Sequence, residues 1–300
     1  MTADHDRLRA LLGPVGAWTF TFDDRGADRI AADVAAIERV GFPSLWIPEG
    51  GGSSDVLTNL GWALGSSERL TMASGIANIS AREPEVLGRG ADFLTEAYGG
   101  RLVLGIGVGH SYTTERRGME WDQPLARMRR YLDVMDGDER VRPPAPRMLA
   151  ALGDGMLRLA AERALGAHSY FVPVSHTARA RSVLGDEPVL AVELGVLPGA
   201  DDATARAWAR AWTTHYLELP NYANNWRRLG FDDADVSDGG SDRLLEAAFA
   251  WGSGEQIAER VREHLDAGAD HVCVQVVGAP DGDADTDLRN LAGLAPAVLA

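Results

Sequence analysis

The chain of 300 residues contains no lysine: all 29 of its basic residues are arginine. That absence removes every mechanism that runs through a lysine Schiff base, so aldolase and pyridoxal chemistry are excluded. Cysteine is almost absent as well. The one thiol, Cys273, can form no intrachain disulfide and no cysteine zinc cage. It sits in the apolar run VCVQVV (272–277) and reads as buried and inert. No apolar run approaches the ~18 residues of a membrane span. The first nine residues are charged rather than leader-like, so a cytoplasmic location is expected. Basic charge is outnumbered: 44 acidic residues leave a formal net charge of −15. Nucleic acid and anionic membranes would be repelled at long range, so both are poor partners.

What is present is an alternation of short apolar runs and amphipathic stretches. With 45% hydrophobic residues the chain can bury one sizeable core. Strands are expected at 15–22, 44–48, 70–78, 102–108, 147–151, 167–172, 189–194 and 271–277. Helices are expected at 28–40, 56–64, 83–98, 124–135, 154–165, 175–184 and 288–299, from apolar spacings such as Ile30, Val34 and Ile37. A mostly helical region at 203–267 separates the last two strands. Eight βα units are best satisfied by one α/β domain over 1–300. The expected form is a (β/α)8 TIM barrel with a helical insertion between strands 7 and 8.

In a barrel the chemistry gathers at the C-terminal ends of the strands. The residues expected there are Phe20, Phe22, Glu49, Ser74, Gly75, Ile76, Asn78, the run 107–110, the run 152–154, His176 and Glu193. Two carboxylates and no His-x-His pair argue against a metal hydrolase. The run RLVLGIGVGH (101–110) places Gly105, Gly107 and Gly109 before His110, and glycines at a strand end let something flat approach the backbone. The run Ser74-Gly75-Ile76-Ala77-Asn78 admits two readings, a ring-facing bend or an ordinary core strand. Gly153 follows a strand and begins a helix, a geometry that binds phosphate on free N–H groups. Asp154 beside it is a good N-cap that would repel that phosphate. The segment LPNYANNWRRLGF (219–231) reads as a lid, a cap of the insertion or a subunit contact.

Six motifs in order, GFPSLWIPE (41–49), SGIANISAREP (74–84), RLVLGIGVGH, RMLAALG (147–153), LPNYANNWRRLGF and DAGADHVCVQV (266–276), make the chain resemble the luciferase-like monooxygenase superfamily. The similarity is to its actinobacterial flavin- or F420-dependent branch. It implies a flavin or deazaflavin ring at the barrel mouth and a cis peptide at Gly75-Ile76. It further implies ring contacts at Asn78 and at Gly107, Gly109 and His110, and a phosphate cradle at Leu152, Gly153 and Asp154. Close relatives often carry Pro-Lys where this chain has Asp154-Gly155. The short connection after Met135 is expected to leave the mouth more open on that side. The expected activity is hydride transfer between coenzyme F420, with FMN as the alternative, and a small organic substrate. His110 is the proton relay, and Glu49 is either its partner or the mate of an arginine. An FMN enzyme would act as a monooxygenase with a separate flavin reductase. A silent, non-catalytic subunit is the remaining reading. A homodimer is expected, because the helix at 56–64 is apolar on more than one face.

Overall fold

The computed structural model describes residues 2–22, 25–50 and 54–300. Its elements run α1 (Thr2–Leu12), β1 (Val15–Trp18), α2 (Ala27–Arg39), β2 (Ser44–Ile47), α3 (Val56–Gly65), β3 (Thr71–Ser74), β4 (Ala77–Asn78), α4 (Pro84–Ala97) and β5 (Leu102–Gly107). They continue as α5 (Ser111–Arg116), α6 (Pro124–Gly137), β6 (Arg147–Ala150), α7 (Asp154–Arg163), β7 (Gly166–Ser169), α8 (Val174–Leu184) and β8 (Val189–Pro198). The last part is α9 (Asp202–Leu217), α10 (Pro220–Arg228), α11 (Asp242–Ala248), β9 (Phe249–Gly252), α12 (Gly254–Asp266), β10 (His271–Val276) and α13 (Ala284–Val298).

Strand β1 pairs in parallel with β2 and β10, and the ladder runs β2-β3-β5-β6-β7-β8 until β8 meets β10. Eight parallel strands therefore close on themselves with helices outside, the expected (β/α)8 barrel. The expected third strand breaks in two around Gly75-Ile76, whose peptide bond is cis. The first strand ends at Trp18, where Thr19 and Thr21 join hydroxyls in a turn at 3.0 Å.

Side chains alternate across each strand, so every strand feeds two cores. Outward residues pack under the helices. The inward set, including Trp18, Trp46, Ala73, Val103, Met148, Ala191 and Cys273, fills the barrel. Leu8 and Leu12, one turn apart on α1, close that inner core. Helix α1 was not expected from the sequence, since its charged residues mask a two-leucine apolar stripe. Gly16 is required by close approach: a Cβ there would lie 2.4 Å from Ser44 Oγ and 2.7 Å from the His271 ring.

The region 203–267 is mostly helical, as expected, and carries one strand, β9, which extends the sheet beside residues 195–198 of β8. Helix α12 packs on β8, β10, α8 and α13 as the barrel's own helix, so the insertion proper lies before it. The short connection after Met135 does not border the mouth. It lies by Asp4, His5 and Arg7 of α1, on the opposite end of the barrel. No described helix is long and apolar enough to cross a membrane.

Candidate active site at the mouth of the barrel

A cleft of about 410 Å³ opens at the C-terminal strand ends. Of the residues expected to form a site, it gathers Glu49, Gly75, Ile76, Asn78, Gly107, Gly109, His110, Leu152 and Gly153. Ser74, Asp154, His176 and Glu193 do not line it. Ser74 is fully buried and its hydroxyl donates to the Gly105 carbonyl at 2.8 Å. His176 is buried between Ser169 and Asn225. Glu193 points inside the barrel, where its Oε2 accepts from the Phe171 N–H at 3.0 Å.

The glycines of β5 serve a neighbour inside the protein. A Cβ at Gly105 would lie 2.0 Å from the Ser74 carbonyl oxygen, and one at Gly107 would lie 2.5 Å from Cγ1 of Ile76. The bend at Gly75-Ile76 thus drives the Ile76 side chain over the backbone of β5, and a ligand in the cleft would meet that isoleucine. Gly109 has φ +70° and abuts the Asn78 amide. Asn78 is itself fixed, its Oδ1 accepting from the Ser80 N–H at 2.9 Å.

Glu49 takes the second of its expected roles, the mate of an arginine. Its carboxylate pairs with Arg82 through two hydrogen bonds and accepts from the Asn78 N–H at 2.7 Å. Its side chain is 4% exposed and that of Arg82 10%. Asp55 also pairs with Arg82. This network ties the loop after β2 to the loop after β4, so Glu49 positions backbone.

His110 is half-buried in a polar-aromatic nest. Its ring stacks on Tyr112, with centroids 5.7 Å apart and planes 6° apart, and meets Tyr222 at 5.8 Å. Burial lowers its pKa and the nearby His215 lowers it further, while the Asn221 side chain opposes them. A neutral imidazole results, able to accept a proton at neutral pH.

Gly153 is the N-cap of α7 with no side chain capping it, and Asp154 is the first helical residue. The Asp154 carboxylate turns outward, taking two-pronged hydrogen bonds from Arg179 at 2.9–3.2 Å with Arg158 at 3.8 Å. The repulsion expected of it is therefore largely neutralised. A cation arrives from elsewhere: Arg228 of α10 lines the cleft, and its NH2 would lie 3.8 Å from a Cβ at Gly153. It donates to Asn225 Oδ1 at 3.2 Å and forms no ion pair among the described residues.

Sequence reasoning passed over Tyr112, Tyr170, His215 and Tyr216, which also line the cleft, and met Tyr222 and Arg228 only within a segment read as a lid, a cap or a subunit contact. The signal was in LPNYANNWRRLGF. Helix α10 buries Tyr222, Ala223, Asn225 and Trp226 and gives Asn221, Tyr222, Asn224 and Arg228 to the cleft, so this segment covers the mouth. Phe171, Trp212, Tyr216 and Tyr222 stack behind it as an apolar cluster.

The donors present suit a flat heterocycle carrying an anionic tail: an apolar Ile76 surface, aromatic walls, and an uncapped helix start beside an unpaired arginine. Comparison with known proteins agrees with that description. The sequence profile of the luciferase-like monooxygenases matches residues 15–271. The chain is similar to a putative coenzyme F420-dependent oxidoreductase of Mycobacterium tuberculosis, 32% identical over 201 residues, 66% of this chain and 54% of that protein. It is also similar to a 5,10-methylenetetrahydromethanopterin reductase of Methanolobus tindarius, 27% identical over 109 residues, 36% of this chain and 33% of that protein. The matched stretches thus span about half or less of these curated relatives. Among solved structures, an F420-dependent secondary alcohol dehydrogenase in complex with an F420-acetone adduct shares the fold at TM-score 0.73 and 14% identity, over 95% of this chain and 98% of that one. The FMN-bound oxygenating constituent of a Pseudomonas putida 3,6-diketocamphane monooxygenase shares it at 0.68 and 16%, over 96% and 99%.

Proposed function

The chain belongs to the luciferase-like monooxygenase family, and from that premise we propose that it moves a hydride between coenzyme F420, or FMN, held in the mouth cleft and a small organic substrate. The observation that carries this reading is that the apolar Ile76 side chain and a cationic end, made by Arg228 beside the Gly153 helix start, lie in one cleft. The cofactor would supply the redox chemistry. Ile76 supports the face of the ring. Arg228 and the first N–H groups of α7 hold the phosphate. Tyr112, Tyr170, Tyr216 and Tyr222 limit water, and neutral His110 takes or returns a proton at the substrate. F420 is preferred over FMN because both curated relatives cited above bear names tied to F420 or methanopterin chemistry. With FMN, a separate reductase would deliver the electrons. We also propose a homodimer through α3 and α4, supported by Trp62, Val86 and Phe93, which are 46%, 60% and 53% exposed.

Absorbance and fluorescence of the purified protein, titrated separately with F420 and with FMN, test the cofactor. Binding of the first alone supports the deazaflavin reading, binding of FMN alone the monooxygenase reading, and binding of neither a silent barrel. His110→Ala should slow single-turnover hydride transfer by ~10²-fold or more while leaving cofactor affinity within a few-fold. Wild-type rates in that variant would remove His110 from the chemistry.

A further inference from the structure

The floor of the cleft holds polar atoms that the proposed reaction does not use. Trp18 and His168 are each 2% exposed and both line the cleft. The Trp18 indole Nε1–H and the His168 Nε2 lack a hydrogen-bond partner among the described residues. The ring of His168 lies flat on Trp46, centroids 4.5 Å and planes 19° apart, so its orientation is fixed by packing. Buried donors without acceptors are rare because their lost hydration is not replaced. Here they share a neighbourhood. A Cβ at Gly75 would lie 2.8 Å from Trp18 Nε1, 3.6 Å from His168 Nε2 and 3.4 Å from the Trp46 ring. The two nitrogens therefore converge on Gly75 at the floor of the cleft, beside the peptide that carries Ile76.

The protonation of His168 follows from its surroundings. Burial pushes the His168 imidazole down to about 3, the neighbouring His271 acts in the same direction, and the Ala191 backbone opposes them. The ring is neutral, with one N–H and one lone pair, so Nε2 presents either a donor or an acceptor beside the Trp18 donor. Neither group is charged. A carboxylate or phosphate would lie there without a cation, and an ammonium would find no acceptor beyond a lone pair. An uncharged oxygen satisfies both groups.

We propose that Trp18 Nε1 and His168 Nε2 form a two-point subsite for a single uncharged oxygen at the floor of the cleft. The oxygen belongs to a water molecule or to a carbonyl or hydroxyl group of a bound ligand. The ligand arm rests on the cofactor reading above; the water arm does not.

Crystals of the wild-type protein, free and soaked with FMN or F420, decide the matter at a resolution that shows ordered water. The expected result is an oxygen within ~3.2 Å of both nitrogens. Water in both forms identifies solvent as its source, and replacement by a ligand oxygen on soaking identifies the ligand. Empty space in both forms overturns the proposal. Trp18→Phe keeps the ring and removes one donor. If the oxygen is the ligand's, its Kd for FMN or F420 rises about five- to tenfold. If it is water's, the Kd stays within about twofold and the water is lost from crystals of the variant. An oxygen that remains unmoved after Trp18→Phe overturns the assignment of Trp18. Should neither cofactor bind, the functional reading fails, and the free crystals still decide the subsite.

Discussion

Arg228 carries the most direct consequence at the scale of single residues. It lies against Gly153, exposed, without a carboxylate mate among the described residues. Arg228→Gln should weaken binding of a phosphate-bearing cofactor by on the order of 1 kcal/mol, several-fold in Kd, with the difference shrinking as salt rises. A Kd unchanged at low ionic strength would move the phosphate away from α7. Asp154 behaves differently from what its sequence position suggests. Beside a phosphate it looks like a liability, yet its charge is spent on Arg179. Asp154→Asn frees that arginine, so a several-fold gain in affinity would be shared between lost repulsion and a newly available cation. The double change Asp154→Asn with Arg179→Gln separates the two.

At the scale of elements, α1 and α4 make the sharpest claims. Leu8 and Leu12 are fully buried against the inner core, so α1 is a structural part of the barrel. Leu8→Ala should cost about 2–5 kcal/mol in urea unfolding. A loss below about 1 kcal/mol would mean that α1 only rests on the barrel. Helix α3 shows why an apolar helix does not by itself reveal a partner. Its Leu57 faces Gly90 of α4, where a Cβ would lie 2.7 Å away, so much of its second face is already covered. What stays open is Trp62, with Val86 and Phe93 two turns apart on α4. Phe93→Asp should shift a dimer toward a monomer of about 32 kDa in light scattering. A wild-type protein that is monomeric at micromolar concentration would contradict the proposed interface.

At the scale of the whole molecule, pH tests the buried titratable groups together. Burial lowers His176 and His271 to about 4 and His168 and His264 to about 3. Below pH ~6.5 the unfolded chain therefore binds protons that the native protein does not, and stability present at pH 7 is lost as pH falls toward 4. Glu193 acts in the opposite sense. Burial raises its carboxyl to about 8, so the native state keeps a proton that the unfolded state releases above ~4.3, and that contribution is lost as pH rises to 8. Each group changes stability by at most ~1.4 kcal/mol per pH unit. Tm should peak near neutrality and fall more steeply on the acid side, where four groups act together. Glu193→Gln should flatten the alkaline side. An unchanged slope between pH 6.5 and 8 in that variant would mean that Glu193 is ionised in the native protein.

The order of strands and helices was legible in the sequence, because periodicity is local: a strand reads as an apolar run of four to six residues wherever it lies. The closed barrel and its mouth followed from counting such units, and His110, Ile76 and Gly153 followed from their places at strand ends. What the sequence could not decide was which side chains met across the barrel. Glu49 reads as a relay partner or as the mate of some arginine, and only the fold brings Arg82, 33 residues away, to take it. The glycines of β5 read as room for a ligand, and it was the bend at Gly75-Ile76 that filled the room with Ile76. Arg228 reads as half of an arginine pair in a surface helix, and only the path of α10 over the mouth brings it to α7. Trp18 and His168 read as two core residues 150 apart. Their convergence beside Gly75 exists only once the sheet has closed, since closure joins strands by register and not by distance along the chain.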